Sequence, residues 1–202
     1  MMVNKARQLM LFLYPLAVIA SFAIGGLKQS IALVILGVWY NNFAGGDRSC
    51  LLRNLINAYG YVCFTSGAME VAAGVVLPLD VRLIQWLGMI AAVIFSTVHL
   101  QDMYDQAGDQ IRGRNTVPLV VGDGRARWTT ALAMIFWGFV SPLYWHAEAG
   151  VLLASFLLAS WIATRGLLLR TVSDDRLTFK LWNAWMTLTF LLPLLRKMSR
   201  AK

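Results

Sequence analysis

QDMYDQAGDQIRGRNTVP, residues 101–118, is the stretch on which the reading of this chain turns. It sets Asp102, Asp105 and Asp109 at i, i+3 and i+7 in a chain that is otherwise mostly apolar. On a continuous helix that spacing puts all three carboxylates on one face. Three like charges on one stripe repel each other unless a cation sits among them. A hard divalent cation such as Mg²⁺ suits the place, because it takes carboxylate oxygens and substrate phosphates together. Arg112 and Arg114 follow within a turn or two, and guanidinium groups grip phosphate oxygens in a bidentate fork. Carboxylates for the metal and arginines for the phosphates make a metal–diphosphate site. A solvated, charge-balanced loop is the other reading.

Around this segment the chain is 58% hydrophobic and 14% charged over 202 residues, against about 25% charged in an ordinary soluble domain. Its apolar runs predict an all-α, polytopic membrane bundle of seven spans: Leu9–Leu27, Ile31–Phe43, Leu55–Pro78, Val81–Leu100, Trp128–Trp145, Gly150–Leu169 and Phe179–Leu195. Trp39, Tyr40, Trp128, Tyr144, Trp145 and Trp182 fall near span ends, as an aromatic belt would. The net charge of +8 is then a matter of topology and lipid attraction. No basic stripe on a soluble domain speaks for nucleic acid. Cys50 and Cys63 lack metal or redox spacing and read as free thiols. Twelve basic residues fall on the side of the Asp102 segment and six on the other. The positive-inside rule makes the first side cytosolic, and it puts the Asn41–Arg53 and Asp102–Arg127 loops on the same side.

The first of those loops, NNFAGGDRSCLLRN, residues 41–54, adds Asn41, Asn42, Asp47 and Arg53 as candidate substrate-binding residues. Gly45 and Gly46 permit a tight turn or a close backbone approach; a plain connection with Asp47 capping the next helix is equally open. His99 lies one turn before Asp102. Glu70, inside the third span, is an intramembrane carboxylate and so a functional candidate, with pairing to a neighbouring helix as its alternative. His146 falls in a short loop on the opposite side.

QDMYDQAGDQIRGRNTVPLVVGD resembles the second Asp-rich motif of the UbiA superfamily of intramembrane prenyltransferases, with Asp102, Asp105, Asp109, Gly113, Arg114, Thr116 and Pro118 in place. Residues 41–74 also resemble a fungal branch of that superfamily that includes a fumagillin-type terpene cyclase. The resemblance implies nine helices around a cavity, two facing Asp-rich motifs, Mg²⁺ and an isoprenyl diphosphate. It makes Asp102, Asp105 and Asp109 metal ligands. It further implies transfer of the prenyl group to a small acceptor, or, in the alternative, cyclisation of farnesyl diphosphate.

The family's first motif has no good counterpart, since Gly46 and Cys50 stand where aspartates belong. Seven spans against the family's nine predict a single membrane-embedded domain, residues 1–202, that lacks the family's first two helices; a compact enzyme with a degenerate first motif is the alternative. A non-catalytic remnant or partner subunit is the expectation if the missing motif is indispensable.

Overall fold

The structure, a computed structural model, describes residues 2–77 and 81–199. Pro78, where the third expected span ends, and the tail cations Arg200 and Lys202 lie outside the described residues. The described residues are 84% helix, and no strand occurs among them. Each of the seven expected spans falls on one long helix. These are α1 (Met2–Ile24), α2 (Leu27–Asn42), α3 (Cys50–Ala73), α4 (Val81–Thr97), and, after three short helices, α8 (Asp123–Tyr144), α9 (Ala149–Leu168) and α10 (Val172–Ser199). The short ones are α5 (Leu100–Met103), α6 (Gln106–Ile111) and α7 (Val117–Val121). Among the described residues two segments, Val81–Met103 and Ala149–Leu168, are long and apolar enough to cross a membrane by length and composition, and Gln8–Ile24 is a shorter apolar helix.

Local chemistry sets several of the boundaries. Ser49, not Asp47, caps α3, its hydroxyl accepting the Leu52 N–H. Gly74 ends α3 in the left-handed conformation at φ 64°. Pro118 sits in the first turn of α7, where its missing N–H costs nothing.

The core lies between α3, α4, α8, α9 and α10, with α1 and α2 as an outer hairpin against α3. α8 and α9 approach closely: a Cβ on Gly138 would stand 2.5 Å from that of Ala159, and small residues at such a contact let helix backbones close up. Three indole N–H groups find a hydroxyl, as such donors usually do in an apolar interior, while that of Trp145 is buried without a partner. Trp182 donates to Thr97 at 3.0 Å, Trp185 to Ser155 at 3.1 Å and Trp137 to Ser96 at 2.9 Å. Trp182 thereby leaves the expected aromatic belt. It is 0% exposed, in the core rather than at an interface. Large apolar side chains cover the outer faces instead, Phe12, Ile19 and Phe22 of α1 among them.

Candidate active site

The carboxylate stripe is not one helical face. The helix breaks at Tyr104–Asp105, between α5 and α6. Asp102 and Asp109 are each 1% exposed, while Asp105 points outward. The physical reason is charge. Two carboxylates taken out of water need cations, and the break lets each meet its own arginine. Glycine makes the break feasible, because the Asp105 Oδ1 lies 2.6 Å from where a Cβ on Gly108 would be.

Asp102 is held by Arg53 of α3, which donates from Nη2 to Oδ1 at 2.8 Å and from Nε to Oδ2 at 3.3 Å. Arg53 is itself 6% exposed. Its Nη1 donates to the Tyr40 hydroxyl and to the Gly46 carbonyl, and its guanidinium lies 5.4 Å from the Tyr40 ring centroid. Gly46 is required here, since a Cβ would stand 2.6 Å from the Tyr40 ring. Arg114 joins the other two carboxylates. It donates from Nη1 to Asp109 at 3.1 Å and from Nε to Asp47 at 2.8 Å. Gly113, at φ 66°, makes the turn that folds Arg114 back. Partial burial alone would lower the Arg114 pKa, but the hydrogen bonds to Asp109 and Asp47 outweigh it and raise the guanidinium above its ordinary value.

The two polar loops meet, as their shared side requires. The Asn115 backbone N–H donates to the Asp47 carbonyl at 2.8 Å, and its side-chain amide to the Arg48 carbonyl at 3.0 Å. Of the expected site residues, the structure brings together Asp47, Arg53, Asp102, Asp109 and Arg114. Four others stand apart. Asn42, Asp105 and Arg112 are exposed, and the Asn41 amide turns back to the Gly37 carbonyl of its own helix. Glu70 also leaves the candidates: its Oε1 accepts the Leu77 N–H at 3.3 Å, at the far end of α3.

Several residues were not legible in the sequence. Tyr40 and Asn115 look like loop-edge polar residues until the loops are folded together. His99 is wedged between helices. Its Nε2 lies 2.6 Å from the Thr130 hydroxyl, which donates to the Ala126 carbonyl. Its Nδ1 lies 3.4 Å from the Asn54 amide nitrogen. A neutral ring protonated at Nε2 satisfies every contact. Behind the site, Arg127 forms a bidentate pair with Asp175 at 2.7 Å through both oxygens, and also holds Asp123. Gln106 of α6 donates to Asp123 at 2.8 Å. The i, i+4 spacing of Asp123 and Arg127 was a usable signal; the 48-residue separation of Arg127 from Asp175 was not.

A large apolar cavity of about 1180 Å³ opens further along the bundle, lined by Tyr61, Phe64, Trp86, Trp145, Phe190 and Leu194 among others. It begins at Tyr61, two turns or about 12 Å beyond Arg53 along α3. Aromatic rings run from the acidic segment toward it: Tyr104 beside Phe179, Phe179 stacked on Trp182, and Trp182 edge-on to Tyr61.

The donor set can be judged against the metal that the Asp-rich motif implies. Among the described residues no group of three or more His, Cys, Asp or Glu side chains forms a ready-made cage. Mg²⁺ is usually held by one or two carboxylates, with phosphate and water oxygens completing the shell. Asp102 and Asp109 supply that chemistry. They fit a cation that arrives with a diphosphate better than a resident ion.

A family model described as the UbiA prenyltransferase family matches residues 1–188. The chain is 30% identical over 170 residues to fumagillin beta-trans-bergamotene synthase of Aspergillus fumigatus, covering 83% of this chain and 56% of that protein. It is 28% identical over 153 residues to somaliensene A/B synthase of Streptomyces somaliensis, covering 71% of this chain and 49% of that one. No solved structure matches it. The chain spans about half the length of these curated relatives. It belongs to the UbiA prenyltransferase family, whose members are membrane-integral.

Proposed function

We propose that this UbiA-family chain ionises an isoprenyl diphosphate at the Asp102–Asp109 site, with the hydrocarbon tail lodged in the apolar cavity. The observation that carries the reading is the meeting of two buried carboxylates and two guanidiniums at the end of α3 from which a cavity of about 1180 Å³ is approached. Asp102 and Asp109, with Asp105 from the exposed turn between them, would hold Mg²⁺; when bound, it supplies Lewis-acid stabilisation of the departing diphosphate. Arg53 and Arg114 are already charged and oriented there, and exchange carboxylate oxygens for phosphate oxygens. Arg112 stands at the rim as a further cation. The aromatic rings between site and cavity offer π faces to an allylic cation, and the apolar walls keep water from it.

Cyclisation of that cation is the favoured fate, because both relatives carry the names of terpene synthases. Transfer to a small acceptor is the second reading, favoured by the family's usual activity. In the bilayer, the seven long helices would span and the Asp102 end would face the cytosol, by the excess of arginine and lysine on that side.

The test is magnesium-dependent diphosphate release from farnesyl diphosphate by the chain in membranes, beside Asp102→Asn and the Asp102→Asn plus Asp105→Asn pair. The wild type should release diphosphate and form a cyclic hydrocarbon without added acceptor, while both variants fall by at least about 10²-fold. Equal release by all three proteins sinks the role given to this cluster. A wild type that binds no isoprenyl diphosphate in magnesium points instead to a non-catalytic subunit.

A further inference from the structure

α3 turns Arg53, Asn57 and Tyr61 to one face, each one turn from the next. Arg53 is fully engaged with Asp102, Tyr40 and Gly46, and Tyr61 packs edge-on to Trp182. Between them, the Asn57 amide nitrogen is buried and has no hydrogen-bond partner. The amide nitrogens of Asn41, Asn54 and Asn115 each find one, at the Gly37, Phe95 and Arg48 carbonyls, although the Asn54 Oδ1 is itself buried without a partner. A buried donor left unpaired costs free energy, and in a native fold such a group calls for an explanation.

Its surroundings supply one. Asn57 lines a second cavity of about 240 Å³ between α2 and α3, whose walls include Tyr40, Asn41 and Ile56. Tyr40 also touches Arg53, so the guanidinium stands behind one wall of this space. Tyr61 and Phe64 line both this cavity and the large apolar one. The two cavities thus share a wall at Tyr61 and Phe64, and the small one lies along α3 between the depth of Tyr40 and that wall. Asn57 lies about 6 Å deeper than Arg53 along α3. With phosphates at Arg53 and a tail beyond Tyr61, the ligand atom at that depth is the ester oxygen linking C1 to the diphosphate.

We infer that Asn57 is a catalytic residue whose amide N–H donates to the ester oxygen of the bound isoprenyl diphosphate; this rests on the ionisation reading above. The C1–O bond breaks heterolytically, its electron pair stays on the diphosphate oxygen, and the allylic fragment carries the positive charge. No proton moves. The hydrogen bond strengthens as negative charge gathers on that oxygen, so it favours the transition state over the bound substrate.

Asn57→Leu removes the donor and keeps the bulk. Because the amide bonds to nothing in the free protein, thermal stability should be unchanged or higher. Diphosphate release from farnesyl diphosphate at saturation should fall about 10²-fold, with KM within about threefold. Release at the wild-type rate overturns the assignment, and so does a loss of activity that merely follows a loss of thermal stability. A second measurement separates this inference from the reading it rests on: affinity for 2,3-dihydrofarnesyl diphosphate with magnesium, an analogue that keeps the ester oxygen and cannot form an allylic cation. A wild type that binds this analogue yet releases no diphosphate from farnesyl diphosphate defeats the ionisation reading, and the catalytic role of Asn57 with it. A wild type that binds and releases, beside an Asn57→Leu protein that releases equally, defeats the Asn57 assignment alone and leaves the ionisation reading standing. A wild type that neither binds nor releases defeats both.

Discussion

The Arg53–Asp102 pair offers the sharpest test of how the site is held together. Both partners are nearly sealed from water, at 6% and 1% exposure, and two hydrogen bonds of 2.8 and 3.3 Å join them across α3 and α5. Removing one partner of such a pair leaves a desolvated charge without compensation, which costs about 3–5 kcal/mol. The two halves are not equivalent. Arg53→Met strands the Asp102 carboxylate, which has no other hydrogen-bonded cation. Asp102→Leu leaves Arg53 still bonded to Tyr40 and Gly46. Arg53→Met should therefore be the costlier change, near the top of the range, and Asp102→Leu near the bottom. The double variant buries two apolar side chains and no charge, and should recover most of the loss, ending within about 1–2 kcal/mol of wild type. The assay is thermal unfolding of all four proteins in one detergent, analysed as a double-mutant cycle. A coupling energy below about 0.5 kcal/mol would refute the claim that these charges stabilise each other, whatever their distance.

Two further outcomes follow from the geometry. Gly46→Ala drives a methyl group into the Tyr40 ring, and because that ring flanks Arg53 it should cost about 1–3 kcal/mol in the same unfolding assay; Gly124→Ala, where a Cβ meets nothing within 4 Å, serves as its control. Asp123 has a lowered pKa: burial alone would raise it, but the bonds from Arg127 and Gln106 outweigh burial. Its contribution to stability is fully present above the ordinary carboxylate value of 3.8 and is lost as pH falls through the lowered folded value. Asp123→Asn should thus flatten the acid limb of the stability–pH curve, and an acid limb identical to wild type would contradict that pairing.

Much of the fold was legible before any coordinates. Apolar runs of helical length predicted the seven long helices, and each lies where hydropathy put it, because burial of apolar side chains depends on local composition. The boundaries moved where polar residues had distant partners. α10 begins at Val172 rather than Phe179, with Asp175 in its first turn turned inward to Arg127. The side shared by the two polar loops was also readable, since an even number of helices separates them.

The sequence by itself determined that carboxylates and arginines are concentrated in one polar segment, and that the segment matches a family motif. Only the tertiary structure decided how those charges are used. It broke the expected carboxylate face at Tyr104–Asp105, gave Asp102 to Arg53 and Asp109 to Arg114, and left Asp105 outside. It also left the Asn57 amide unpaired at the depth where site and cavity meet. The reason is that helical spacing is a local property, whereas the partner of a buried charge is chosen by whichever opposite charge the packing of other helices brings within reach. Forty-nine residues separate Arg53 from Asp102, and no spacing rule spans that distance.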